Sequence, residues 1–181
     1  MIVVTGSIRT GTSLLMQTLK LLGLPIAGTA YHDDFPDTDF NPNGYWELPK
    51  AETLQGINSN EYHGKAVKLF GLQLYRTNPV YVNSVIVCRR NKDDAVKSTM
   101  KLLVRRGKDI GLEPTIKNAE GIYDKNYAYI DMFLVASMVP CIHVSYEEMI
   151  AHPDRAISMI ACFVGAEKKI TKALKNVKCK G

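Results

Sequence analysis

The chain has 181 residues, of which 46% are apolar and 23% are charged. This length and composition indicate one globular domain over residues 1–181 and exclude a disordered chain. No apolar stretch approaches a membrane span and no targeting segment is visible, so we expect a cytoplasmic protein without a membrane partner. The formal net charge of +5 comes from clusters of basic residues, which favour a polyanionic partner. These clusters lack interleaved aromatic residues, so nucleic acid is not expected.

The first predicted elements are a strand, a loop and a helix. A β-branched run at residues 2–5 leads into a loop that Gly6 and Gly11 bound. A helix with leucines at helical spacing then continues until Gly23. A glycine-bounded loop before a helix directs backbone N–H groups and the positive end of the helix dipole at one point. This arrangement is typical of a phosphate-binding site.

The spacing of Gly6, Gly11 and Ser13 matches the P-loop pattern with one exception. Thr12 stands where an ATPase or GTPase has its lysine, and the cation of the loop is Arg9 instead. Because the missing lysine normally contacts the β- and γ-phosphates, the loop favours a phosphate-type ligand over a nucleoside triphosphate with magnesium. An ordinary tight turn between strand and helix is the alternative.

Residues 26–47 are predicted to form a long loop on the acceptor side of the site. They combine glycines, prolines, four aspartates and several aromatics without a helical or alternating period. A loop of this length in a compact domain is usually functional, and its aromatics favour a packed lid. A strong turn signal at residues 41–44 delivers Tyr45, Trp46 and Glu47 as a rigid group.

The remainder of the chain alternates between predicted strands and helices. Strands are predicted at 65–69, 84–88 and 141–145, and helices at 49–57, 92–106, 119–138 and 153–164. This order predicts an α/β fold with three αβα layers, a central parallel sheet and a P-loop nucleotide-binding type of architecture. A basic tail follows at 166–181. Four cysteines without paired spacing are interpreted as reduced, and the three in apolar runs are expected in the core.

A second anion site is predicted after the strand at 84–88. Arg90 follows the end of that strand, and Ser98 comes eight residues later inside the next helix. A guanidinium and a hydroxyl placed in this way can act on one phosphate. Solvated basic side chains on a helix face are the alternative. Two anion sites on one sheet imply a ligand with anionic groups at both ends.

Four segments resemble the sulfotransferases that use 3′-phosphoadenosine 5′-phosphosulfate (PAPS), in particular small members of the bacterial or phage type. Residues 6–15 are similar to their 5′-phosphosulfate loop. Residues 90–98 are similar to their 3′-phosphate motif Arg-Asn-Pro-x-Asp-x-x-x-Ser, with Lys92 in place of proline. Residues 41–47 resemble an Asn-Pro-x-Gly-Tyr-Phe-Glu segment, and residues 145–165 resemble a Tyr-Glu-Asp-Leu stretch followed by Pro and Phe-Leu-Gly. The segments occur in the order of the family.

The resemblance implies an enzyme that moves a sulfuryl group from PAPS to a hydroxyl or amine of a small molecule or glycan. No metal is required, because a sulfuryl group carries less charge than a terminal phosphate. The family's motifs assign the 3′-phosphate to Arg90 and Ser98. The residues assigned to the 5′-phosphosulfate are Gly6, Arg9, Thr10, Gly11, Thr12 and Ser13.

The resemblance also suggests catalytic residues, of which Arg9 is the first. There are two departures from the family: its C-terminal Arg-Lys-Gly and glycine-rich segment is not evident, and its histidine base is absent. Lys68 is the second cation for the bridging oxygen, although a solvated lysine at a strand end is the alternative. Cytosolic members carry a histidine base two residues after this lysine, and here that position is Phe70. Glu47 is therefore the first candidate for the general base. The alternative is that Glu47 is only a carboxylate at the start of a helix. His32 on the lid is the second candidate.

Two other functions stay open at this point. The first is a P-loop nucleotide or nucleoside kinase, which would bind ATP with magnesium and against which the missing loop lysine argues. The second is a non-catalytic nucleotide-binding protein of the same fold that has lost its base. The oligomeric state is left open.

Overall fold

The computed structural model describes residues 1–30, 44–49, 54–106, 111, 113–171 and 173–174. The strands are β1 (Ile2–Thr5), β2 (Ala66–Lys68), β3 (Ser84–Arg89) and β4 (Cys141–Ser145). The helices are α1 (Thr12–Leu21), α2 (Gly71–Arg76), α3 (Lys92–Arg106), α4 (Ile116–Ser137), α5 (Tyr146–Ala151) and α6 (Pro153–Phe163). Two short 3₁₀ turns lie at Pro79–Tyr81 and Glu167–Lys169.

The described strands form one parallel sheet in the order β2-β1-β3-β4. Val3 of β1 lies between Val67 of β2 and Val85 of β3. Because all four strands are parallel, their carboxyl ends lie along one edge of the sheet. The loops that follow β1, β2 and β3 therefore meet at that edge.

Helices cover both faces of the sheet. Successive residues of a strand point to opposite faces, and the apolar residues on each face pack against a different set of helices. Val4 and Ile86 belong to a core with Leu15 of α1 and Ile160 of α6. Val3, Val85 and Val87 belong to a second core, which also contains Leu74 of α2 and Ile130 of α4. The fold is therefore an α/β protein with helices on both sides of a four-stranded parallel sheet, as predicted at that level.

The predicted helix at 49–57 is described only in part. Residues 50–53 lie outside the described part, and residues 54–57 are not helical. Gly56 has a φ of 74°, and a Cβ there would lie 2.3 Å from the Arg76 carbonyl carbon. The N–H of Ile57 donates to the Thr77 hydroxyl at 3.0 Å. The backbone of Ile57 thus pairs with Thr77 and Asn78, just after α2, rather than within a helix.

The expectation that three cysteines lie in the core is correct only for Cys88, which is fully buried. Cys141 and Cys162 are free and exposed. Cys141 begins β4, one of the two edge strands of the described sheet, and Cys162 lies on the solvent side of α6, so an apolar run did not imply burial there. Cys179 lies outside the described residues.

Within the described parts of the chain, no helix is long and apolar enough to cross a membrane.

Candidate functional site

The loop between β1 and α1 presents an uncapped helix N-terminus. α1 begins at Thr12 after Gly11, which has a φ of 97° and provides no side-chain cap. A Cβ at Gly11 would lie 2.5 Å from Cδ2 of Tyr146, and one at Gly6 would lie 2.7 Å from the Cys88 carbonyl oxygen. Both positions therefore require glycine. The N–H groups of the first turn lack partners within the helix, so they can donate hydrogen bonds to an anion.

Arg9 connects the two anion sites that the sequence predicts separately. Its backbone is left-handed, with a φ of 66°. Its Nε donates to the Ser98 hydroxyl at 3.0 Å, and its carbonyl oxygen accepts from Nη1 of Arg90 at 3.0 Å. The structure thus brings Arg9, Arg90 and Ser98 together, and Ser98 bonds to Arg9 rather than to Arg90. The two predicted sites form one continuous surface.

The Arg90 guanidinium is held on two sides. It stacks over the Tyr146 ring, with 4.5 Å from Cζ to the ring centroid, and donates to the Arg9 carbonyl. Its Nε is buried and has no hydrogen-bond partner among the described residues. A buried donor without a partner is costly, so this atom fits an anionic ligand oxygen.

The hydroxyl residues of the loop have different surroundings. Thr10 is fully buried, its hydroxyl donates to the Ser7 carbonyl at 2.7 Å, and its own carbonyl accepts from the Cys88 thiol at 2.9 Å. Thr10 therefore maintains the loop from within. Thr12 and Ser13 line the pocket beside the loop.

Lys68 is a buried cation with every N–H donor in use. Its side chain is 3% exposed. Nζ donates to Glu47 Oε1 at 2.7 Å, to the Tyr45 carbonyl at 2.9 Å and to the Ser13 hydroxyl at 3.2 Å. Burial lowers the pKa of the Lys68 ammonium from its usual value, the charge and hydrogen bond of Glu47 oppose this effect, and the charge of Arg9 adds to it.

Glu47 is positioned by a bridge between the two ends of the predicted lid. Its backbone N–H and carbonyl pair with Thr29 at 3.2 and 3.1 Å. The preceding Trp46 has a φ of 56°, and Lys20 Nζ lies 4.1 Å from the centroid of its ring. The Glu47 side chain is 22% exposed and forms an ion pair with Lys68. Two of the three predicted catalytic residues in the described chain, Lys68 and Glu47, are therefore in direct contact.

These side chains border a pocket of about 370 Å³ at the carboxyl edge of the sheet. Its charged residues are Arg9, Lys68, Arg90 and Glu47, and its aromatic residues are Tyr45, Phe70 and Tyr146. Gly11, Thr12 and Ser13 also line it. Three cations against one carboxylate make the pocket favourable for an anion, while the aromatic rings offer an apolar surface to a neighbouring group.

Several predictions fall outside what the structure describes. His32 and residues 31–43 of the predicted lid are in this class, and of the predicted tail only 166–171 and 173–174 are described. The base assignment to His32 therefore stays a prediction.

Sequence reasoning missed three tyrosines around the site. Tyr123 and Tyr127 lie one turn apart in the helix predicted at 119–138, and their hydroxyls donate to the Arg90 and Cys88 carbonyls at 3.0 and 2.7 Å. Tyr146 packs against Gly11 and Arg90. The spacing of Tyr123 and Tyr127 indicates only that both lie on one face of a helix. No sequence pattern indicates which backbone carbonyl their hydroxyls bind.

Comparison with protein-family models, with curated proteins and with solved structures gives no match in any of the three.

Proposed function

We propose that the chain is a sulfotransferase of the P-loop type that takes a sulfuryl group from PAPS. The observation that carries the proposal is the convergence of three cations from three neighbouring strand ends on one pocket. Arg9 follows β1, Lys68 ends β2 and Arg90 follows β3, and all three line the pocket beside the uncapped start of α1. Glu47 supplies a carboxylate at the same place.

The donor set fits a ligand with two separate anionic groups. The loop amides and Arg9 would hold the 5′-phosphosulfate, and Arg90 would hold the 3′-phosphate with its unpartnered Nε. Ser98 bonds to Arg9, so it would contribute at the junction between the two groups. With Thr12 in place of lysine, the loop lacks the side chain that serves a triphosphate with magnesium.

The donor supplies a sulfuryl group whose bond to the 5′-phosphate oxygen breaks as the acceptor oxygen or nitrogen bonds to sulfur, with adenosine 3′,5′-bisphosphate leaving. Glu47 takes the proton of the acceptor group, which makes that atom a better nucleophile. Lys68 and Arg9 stabilise the negative charge that develops on the leaving oxygen. The acceptor is a small molecule or glycan that lies on the aromatic side of the pocket.

Lys68 must exchange one of its partners to perform this role, because its three N–H donors are already used. The weakest of the three contacts is the 3.2 Å bond to Ser13. A ligand oxygen at the start of α1 can take the place of the Ser13 hydroxyl and leave the bonds to Glu47 and Tyr45 in place. Glu47 would then act as a base beside a cation that also orients it.

One observation favours a second candidate, a nucleotide-binding protein of this fold without transferase activity. Glu47 is held in an ion pair with Lys68, and the position where cytosolic sulfotransferases carry a histidine is Phe70. This alternative predicts the same ligand binding without turnover.

Thermal-shift titration tests the proposal. Adenosine 3′,5′-bisphosphate at about one hundred times its Kd should add about 2.7 kcal/mol, which raises the Tm by roughly 5–11 °C. The shift should persist in a chelator. A larger shift with ATP and magnesium would refute the proposal.

Variants of the site identify the residues responsible. Arg9→Ala and Arg90→Ala should each abolish most of the shift, whereas Arg155→Ala should retain it because Arg155 pairs only with Glu148 on the surface. Wild-type shifts in both site variants would contradict the assignment. Glu47→Gln should bind the nucleotide yet lose sulfate transfer from a labelled donor in a screen of candidate acceptors. Nucleotide binding without any transfer by the wild type would favour the non-catalytic alternative.

A further inference from the structure

The end of β3 is tied to α4 by two tyrosine hydroxyls. Tyr127 donates to the Cys88 carbonyl at 2.7 Å, and Tyr123 donates to the Arg90 carbonyl at 3.0 Å. The two rings lie 4.7 Å apart, so they support each other. Both hydroxyls thus bind the short stretch of backbone where the strand ends and the turn to α3 begins.

The same stretch is also tied to the loop after β1. The Cys88 thiol donates to the Thr10 carbonyl at 2.9 Å. The Cys88 carbonyl oxygen lies where a Cβ on Gly6 would be only 2.7 Å away. The backbone over residues 88–90 is therefore fixed between the loop on one side and α4 on the other.

The orientation of the Arg90 side chain depends on this fixed backbone. Its backbone carbonyl is held by Tyr123, and the far end of its side chain is held by the Arg9 carbonyl and the Tyr146 ring. The N–H of the same peptide, at Asn91, donates to Glu147 Oε1 at 2.9 Å. The Tyr123 bond is therefore one of two that fix this peptide, and its loss would leave the carbonyl side of the peptide unheld. A ring alone does not replace the bond, because the carbonyl would lose its hydrogen-bond partner.

We infer that Tyr123 is a positioning residue for the 3′-phosphate: its hydroxyl fixes the Arg90 peptide and so directs the Arg90 guanidinium to that group. The inference rests on the proposed function. Tyr123 does not line the pocket and is not expected to touch the nucleotide. Tyr127 binds the same stretch of backbone two residues earlier, at the Cys88 carbonyl.

The test compares two ligands by isothermal titration calorimetry. Adenosine 3′,5′-bisphosphate carries the 3′-phosphate and adenosine 5′-monophosphate lacks it, so the ratio of their Kd values measures what the 3′-phosphate contributes. The wild type should prefer the bisphosphate at least tenfold. Tyr123→Phe should reduce this preference about three- to tenfold, as expected for one hydrogen bond, while the Kd for the monophosphate changes less than twofold.

Tyr129→Phe is the matched control, because it removes a hydroxyl from the same helix and its ring packs against Tyr75, away from the site. It should retain the wild-type ratio. Arg90→Lys should lose most of the preference for the bisphosphate. Its Kd ratio shows how large the effect is when the guanidinium itself is removed.

The outcomes separate the inference from the proposed function. A wild type that does not distinguish the two ligands would overturn the proposed function and this inference together. A wild type with a preference that Tyr123→Phe retains would overturn the inference alone. Equal weakening of both ligands by Tyr123→Phe would also overturn it, because general loosening of the site changes both Kd values.

Discussion

Removal of the Lys68 ammonium is the most direct perturbation of the site. Lys68→Met keeps an unbranched side chain of similar length in the same buried position. It removes the donor of three hydrogen bonds, to Glu47, the Tyr45 carbonyl and the Ser13 hydroxyl. The Glu47 carboxylate then remains at the pocket without the cation that lies 2.7 Å away in the wild type. We expect the folded state to lose stability.

The magnitude follows from the burial of the pair. Breaking a fully buried ion pair by removing one partner costs about 3–5 kcal/mol. The Lys68 side chain is 3% exposed and that of Glu47 is 22% exposed, so water can partly solvate the remaining carboxylate. We therefore expect Lys68→Met to lower the free energy of unfolding by roughly 2–3 kcal/mol, below the fully buried range. Glu47→Gln should cost less, roughly 1–2 kcal/mol, because the amide oxygen still accepts a hydrogen bond.

Urea denaturation measures these changes through the midpoint and the m-value. In a double-mutant cycle, Lys68→Met with Glu47→Gln should cost about 1–2 kcal/mol less than the sum of the single variants, because the second change removes the stranded group. Lys65→Met is the control, since its ammonium has only a 5.7 Å contact with the Tyr62 ring. A Lys68→Met variant within about 0.5 kcal/mol of the wild type, with additive cycles, would refute the ion-pair argument.

One variant and one labelling experiment test the loop and the packing beneath it. Gly11→Ala should weaken nucleotide binding and destabilise the fold by at least about 1–2 kcal/mol, because the φ of 97° disfavours alanine and its Cβ would meet Tyr146 at 2.5 Å; urea denaturation and thermal-shift titration would check this, and a neutral variant would contradict it. Iodoacetamide at neutral pH should label Cys141 and Cys162 but not Cys88 in the folded protein, since burial raises the pKa of the Cys88 thiol to about 12; peptide mass spectrometry would detect the labels, and equal labelling of all three would contradict the packing under the loop.

Local sequence pattern was sufficient to predict the longer elements of the fold. The run at 2–5 and that at 84–88 are β-branched and buried, and the helix at 92–106 has acidic residues in its first turn. The helices α2 and α5 were missed because each has only six residues, too few to show a helical period, and because some of their stabilising contacts come from residues far along the chain. The N–H of Gly71, for example, donates to Asn126 Oδ1 from α4 at 2.9 Å. The order of the strands also depends on long-range pairing, which no local pattern contains.

The candidate site was predicted as a set of residues but not as a network. Glycine spacing and position after a strand were enough to select Arg9 and Arg90. The pairing of Glu47 with Lys68 was not predictable, because it depends on the bridge from Thr29 to Glu47 and on the place of β2 at the sheet edge. The bond from Arg9 to Ser98 likewise joins residues that are 89 positions apart. Such contacts arise from the tertiary fold, and so the two predicted anion sites looked separate in the sequence.

The sheet order gives a physical reason for a ligand with several charges. Strands β2, β1 and β3 are neighbours, so the ends that carry Lys68, Arg9 and Arg90 lie side by side. Adjacent strands are about 4.8 Å apart, which places the outer two about 10 Å from each other. At that separation the charges of Lys68 and Arg90 would repel by about 1.7 kcal/mol at an effective dielectric constant of about 20. Glu47 pairs with Lys68, and the Arg90 guanidinium lies against the backbone of Arg9, so an anion that contacts both arginine side chains would lower the repulsion between them. A ligand with one charge can neutralise only part of this row, and a nucleotide with anionic groups at its 3′ and 5′ positions can neutralise both of its ends.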